Sequence, residues 1–199
     1  GVEDMTVPPG GLKTFFLPNG LDIDGTVLNH SAVYVSSDAP VTVHQFNPIN
    51  GAGVYTNDAS LLLPANMGGE LYYVMSWPMR VDKVEGGYTF RGTATIVATQ
   101  EGETTVSVRP TSKVMAGPGV EELQAYPAQP YVFVMERGDV LNLETEGAHG
   151  TDLTGTKITA DQKITVFGGH ECANVPLFPA VVSYCDHLEQ QLFPVQAWG

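Results

Sequence analysis

The chain has 199 residues, 43% hydrophobic and only 16% charged, which is enough to bury one substantial core. Its 22 acidic residues against 9 basic ones leave a formal net charge of −13. A surface this negative repels phosphate backbones and anionic headgroups, which argues against nucleic-acid and membrane-surface binding. No stretch approaches the roughly 18 consecutive apolar residues of a membrane span, so membrane insertion is not expected either.

Residues 1–30 are rich in Pro, Gly and Asn and read as an entry or attachment segment ahead of one β domain over 31–199. Within that segment, LDIDGTV (21–27) carries the Asp-x-Asp-Gly-Thr order of haloacid-dehalogenase-type phosphatases, with Asp22 as nucleophile and Asp24 as general acid. That chemistry needs an apolar strand just before the motif and βαβ alternation after it. Leu-Pro-Asn-Gly precedes it and no such alternation follows, so an Asx-stabilised turn is the simpler reading. A Ca²⁺ site on Asp22 and Asp24 is the weaker alternative. Asn29-His30-Ser31 forms an N-glycosylation sequon.

From residue 31 onward the periodicity is that of strands. AVYVSS (32–37), VTVHQF (41–46), ASLLLP (59–64), LYYVMSW (71–77), YTFRGTATIVATQ (88–100) and TTVSVRP (104–110) are short and rich in β-branched and aromatic residues. YVFVME (131–136), DVLNLETE (139–146) and KITVFGG (163–169) continue the pattern, and Gly-containing turns punctuate it. Only GVEELQAY (119–126) and CDHLEQQL (185–192) suggest helix, two turns each. The expected fold is all-β: a jelly-roll-like β-sandwich with at most short helices.

One unit occurs twice. VSSDAPVTV (35–43) aligns with ITADQKITV (158–166), Asp38 matching Asp161, and predicts a strand, an Asp-bearing turn and a second strand. LLLPANMGG (61–69) likewise resembles QLFPVQAWG (191–199). A strand follows Gly69, so the second unit is expected to continue beyond residue 199 or to be completed by another segment.

The chain's two cysteines are each two positions from a histidine: His170 and Cys172, then Cys185 and His187. On strands, positions i and i+2 share a face, so the four residues form a candidate zinc tetrad. A Cys172–Cys185 disulfide is the simpler reading in an acidic, strand-rich chain of extracellular character, and closing that loop contributes about 3 kcal/mol. GGHEC fails as a zinc-protease motif because Asn174 stands where the second histidine belongs. Arg137-Gly138-Asp139 lies between two strands and reads as a hairpin turn. The loops at 47–57, 64–70 and 115–130 are the expected contact surfaces, with Asn47, Asn50, Tyr55, Asn57, Asn66 and Tyr126 as their candidate binding residues.

NDASLLLPANMGGELYYVMSW, TATIVATQEGETTVSV, DLTGTKITADQKITVFGGHECANVP and CDHLEQQLFPVQAWG together resemble the IgGFc-binding protein N-terminal domain family. The resemblance runs from about residue 32 to 199 and is most specific at Gly-His-x-Cys-Ala-x-Val-Pro and the closing Trp-Gly. It implies a secreted or surface-exposed β module used for recognition or adhesion, with no catalytic residues to carry over. The expected partner is a glycan or glycoprotein, with no cofactor. A homo-oligomerising scaffold domain is the first alternative and a zinc-dependent enzyme on the His/Cys pairs the second.

Overall fold

The structure, a computed structural model, describes residues 4–18, 21, 23–47, 56, 58–81, 87–176 and 185–199. Its elements are β1 (Val27–His30), β2 (Val43–Asn47), β3 (Asp58–Leu62), β4 (Gly69–Tyr73), β5 (Arg80–Val81), β6 (Thr89–Phe90), β7 (Gly92–Ala98) and β8 (Glu103–Arg109). After these come β9 (Tyr131–Glu136), β10 (Asp139–Glu144), β11 (Lys157–Ala173) and β12 (Asp186–Gln191). Two three-residue 3₁₀ turns, Ala65–Met67 and Val195–Ala197, complete the regular structure. Among the described residues no helix is long and apolar enough to cross a membrane.

Strict alternation builds the sheet. In β7, Ala94, Ile96 and Ala98 are buried while the threonines and valine between them are half-exposed, as period-two side-chain placement requires. All pairings are antiparallel, and eight strands form one curled sheet ordered β1-β10-β7-β11-β8-β9, with β12 and β4 on the other side of β11. The seventeen-residue β11 organises everything. Its first part, Lys157–Ala160, lies between β8 and β4; its later part, from Ile164, lies between β7 and β12.

The change of partners happens at a bulge. From Thr159↔Leu71 to Ile164↔Gly69, β11 advances five residues while β4 advances two. Bulges bend strands, and a strand that changes neighbours makes the corner of a packed β structure. Asp161 sits in this bulge, where its carboxylate accepts the Thr105 N–H at 2.8 Å. Sequence predicts a turn between two strands at this position; the chain instead makes the corner of one strand, because both flanks find neighbours to pair with. The two halves of the curled sheet face one another across a single core. Tyr72, Ile96, Val106, Val108, Leu141, Leu143, Ile158, Ile164 and Val166 all contribute to it, fully buried or nearly so.

Tyr72 fastens the corner. Its hydroxyl donates to the Ile164 carbonyl at 2.8 Å and accepts the Gly69 N–H at 3.0 Å. Burial raises its pKa against the opposing Gly69 hydrogen bond. Tyr72→Phe keeps the ring and strands both backbone groups. We expect a loss of about 2 kcal/mol in urea unfolding, seen as a lower midpoint at unchanged m-value.

Three further sequence expectations differ from the structure. Segment 32–37 is not a strand: it is irregular, with Val33, Tyr34 and Val35 exposed. CDHLEQQL forms β12, not a helix, because Asp186–Gln191 pairs with β11 and tertiary pairing overrides local propensity. GVEELQAY is irregular, tied by isolated bridges such as Val114↔Leu123 and Gly117↔Val120. The second repeat is expressed in the fold: Pro64 and Pro194 each precede a 3₁₀ turn, and Gly69 packs so tightly on Pro194 that a Cβ would clash.

Candidate functional site

The end of β11 and the start of β12 form the segment singled out by its cysteines. Cys172 and Cys185 are joined in a disulfide with Cα atoms 5.0 Å apart. The loop it closes includes residues 177–184, which lie outside the described residues. The bond takes both sulfurs, so the zinc tetrad loses two of its four ligands. His170 is fully buried and its Nδ1 accepts the Cys172 N–H at 3.0 Å, which places the ring proton on Nε2. Burial pushes its pKa down to about 4, and the charges of His187 and Arg80 add to the shift. His187 behaves oppositely. Burial depresses it, but the Glu189 carboxylate and the Glu171 carbonyl outweigh that and leave its pKa raised.

The outer edge of β12 is closed by side chains. Thr56 and, on β3, Asp58 and Ser60 accept the N–H groups of His187, Glu189 and Gln191 at 3.0, 2.6 and 2.9 Å. Every second residue of one segment thus satisfies every second donor of the other. This braces β12 on the side away from the disulfide.

A second polar cluster lies where the Asp24-Gly25 turn docks on β10. Gly25, at φ 81°, donates its N–H to Glu144 Oε1 at 2.9 Å, and the Glu144 N–H donates to Thr26 Oγ1 at 3.0 Å. The Asn142 amide donates to the Gly25 carbonyl at 2.8 Å. The motif that resembles a phosphatase signature is therefore a docking turn. Carboxylate oxygens of Asp24, Glu144 and Glu171 lie within 4.8 Å of one another, a spacing that also suits a divalent cation. Arg91 stands among them, with Nε 3.9 Å from Glu144 and its backbone N–H donated to Glu171. Burial, followed by repulsion from Glu171, pushes Glu144 up to about 7. Asp22 lies outside the described residues. Sequence reasoning found Asp24 but missed its partners, which are more than a hundred residues away along the chain.

The candidate binding residues do not share one element. Asn47 ends β2 and donates to Glu189 at 3.3 Å, so its side chain is committed to packing. Asn66 sits exposed in the first 3₁₀ turn, and its carbonyl accepts Lys163 Nζ at 2.9 Å. Tyr126 is 74% exposed and held at φ 49°, a left-handed conformation rare for a bulky residue. Asn50, Tyr55 and Asn57 fall outside the described residues. Arg137-Gly138-Asp139 is the expected hairpin turn, and its charges are used internally. Arg137 pairs with Glu101 and stacks on Tyr34, and Asp139 bonds His30 at 2.8 Å and accepts the Glu136 N–H.

Known proteins bear on these features. The family described as IgGFc binding protein matches residues 58–199. The human IgGFc-binding protein is 28% identical over 203 residues, covering 99% of this chain. The chain spans only 3% of that protein's length. No solved structure matches significantly. The matched region runs from β3 to the closing Trp198-Gly199 and includes the bent β11, the disulfide and β12, so this chain belongs to the IgGFc-binding protein family.

Proposed function

We propose that this chain is an extracellular recognition module that binds a glycan or glycoprotein, and that it works by binding and not by catalysis. The observation that carries this reading is the family match over 58–199. The disulfide supports an oxidising compartment, and the net charge of −13 supports a partner other than nucleic acid or membrane. A cross-braced sheet is a suitable support for recognition, since rigid elements present binding groups at low entropic cost. In this reading 31–199 is the recognition body and residues 1–30 attach it to its surroundings.

The test is retention on immobilised secreted glycoproteins and on a printed glycan array, with immunoglobulin Fc as a separate arm. The Fc arm is included because of the relative's name. Saturable binding to at least one glycosylated target is expected; absence of binding to all of them would contradict the reading.

A scaffold role is the second reading, and one observation favours it. Leu12, Phe16, Leu17, Val33 and Tyr34 are each more than half exposed in the irregular segments on either side of β1. Such apolar residues suit contact with another copy. Sedimentation equilibrium separates the readings: a concentration-dependent mass without glycoprotein binding supports the scaffold.

A further inference from the structure

On the outer face of the β9-β8-β11-β4 half of the sheet, register places Arg109 of β8 directly opposite Lys157 of β11, and Lys157 directly opposite Tyr73 of β4. The next row along brings Ser107 opposite Thr159. The alternate residues Val108, Ile158 and Tyr72 point into the core, which fixes the first set outward. Trp198 extends the row, its ring centroid 6.2 Å from that of Tyr73. Both aromatic rings are substantially exposed, Tyr73 at 41% and Trp198 at 55%. Ser107, Arg109, Pro130, Lys157 and Thr159 line a shallow groove of about 190 Å³.

Two features of this face call for an explanation. Like charges directly opposite on adjacent strands destabilise a sheet. The chain also has 22 acidic residues with which to neutralise 9 cations. It does so elsewhere: Arg91, Lys113 and Arg137 each meet a carboxylate. Arg109 and Lys157 meet none among the described residues; the Arg109 guanidinium reaches only the Ala128 carbonyl, at 3.4 Å. In a strongly negative molecule, two adjacent uncompensated cations make a local attractor for an anion. Beside it lie two hydroxyls for hydrogen bonding and an aromatic pair of the kind that packs against amphipathic ligands.

We propose that this face binds an oligosaccharide ending in an acidic sugar. Arg109 and Lys157 hold the anionic group, Ser107 and Thr159 bond ring hydroxyls, and Tyr73 and Trp198 support the next sugar. The groove is smaller than the roughly 300–1,000 Å³ that encloses a whole small molecule, which suits the end of a chain and not a free metabolite. This inference rests on the recognition reading and names its ligand class.

The experiment is a chemical-shift titration of the ¹⁵N-labelled full chain with 3′-sialyllactose, 3′-sulfolactose and neutral lactose, followed by a Glu-rich peptide. Saturable shifts centred on Ser107, Arg109, Lys157, Thr159 and Tyr73 are expected with an acidic trisaccharide or its sulfated counterpart and not with lactose. The first two probes tell carboxylate from sulfate. Arg109→Gln with Lys157→Gln should weaken binding about tenfold or more, and should melt no lower than the parent because the like-charge pair is gone. Shifts that lactose reproduces, or a peptide that outcompetes the sugars at these residues, would overturn the assignment. So would silence from every sugar. If glycoprotein retention then persists in the double variant, the groove assignment alone has failed; if retention is also absent in the parent, the recognition reading has failed with it.

Discussion

Glu144→Gln raises the stability of the protein at pH 8 by about 3 kcal/mol and changes it little near pH 4.5. In the unfolded chain a glutamate releases its proton near its ordinary value; in the fold Glu144 keeps it until about 7. Between those values the native state binds the extra proton. Wild-type stability contributed by this group is therefore full at low pH and falls as pH rises through the window. The cause is local: Glu144 is 3% exposed and faces Glu171 and Asp24, with Arg91 as the nearby cation among the described residues. Glutamine retains the acceptor for the Gly25 N–H and removes the charge. His170 contributes the opposite slope. Its folded value of about 4 lies below its ordinary 6.5, so its stability is full above that value and lost as pH falls through the interval. In the wild type the two slopes oppose each other; in the variant Glu144's is gone and His170's remains, set against the raised pKa values of Glu171 and His187. Urea unfolding from about pH 4.5 to about pH 8 checks both. Parallel profiles for the two proteins would contradict the account of the cluster.

Removing the disulfide with the pair Cys172→Ser and Cys185→Ser costs about 3 kcal/mol and lowers the melting temperature by about 6–12 °C. The bond closes the loop between β11 and β12, so its loss frees the unfolded chain and unpins the end of the ladder at Ala173↔Asp186. The damage should be local. Amide exchange in β12 should accelerate first, while β7 and β8, whose inner residues are buried in the main core, keep their protection. Alkylation of the denatured, unreduced parent should add no mass. Two alkylated thiols accompanied by one equivalent of zinc would restore the His170–Cys172–Cys185–His187 tetrad.

Much of this fold was legible in the chain because alternation survives wherever one face is buried. TATIVATQ and TTVSVRP read as β7 and β8 since their apolar positions, Val97 apart, point one way. CDHLEQQL was misread because its period is ambiguous; what makes it a strand is the edge of β11 on one side and the side chains of Thr56, Asp58 and Ser60 on the other. The reading of segment 32–37 failed in the opposite sense, since a strand-like composition forms no strand without a partner edge. In DVLNLE, Asn142 and Glu144 look like a solvent face. They are buried because the turn at Asp24–Thr26 covers them, a contact between residues more than a hundred positions apart. The disulfide was visible as the simpler reading of two cysteines. The Arg109–Lys157–Tyr73 row was not, because it exists only once the register of β8, β11 and β4 is known.

The proposed recognition of glycosylated surfaces stands or falls on binding to the glycans themselves. The most direct measurement is steady-state surface plasmon resonance of the purified chain over one secreted mucin-type glycoprotein, intact and after enzymatic removal of its glycans. The account predicts a saturable response on the intact surface that is lost on the stripped one and weakens with added salt, as an acidic ligand requires. Equal responses on the two surfaces, or none on either, would contradict it.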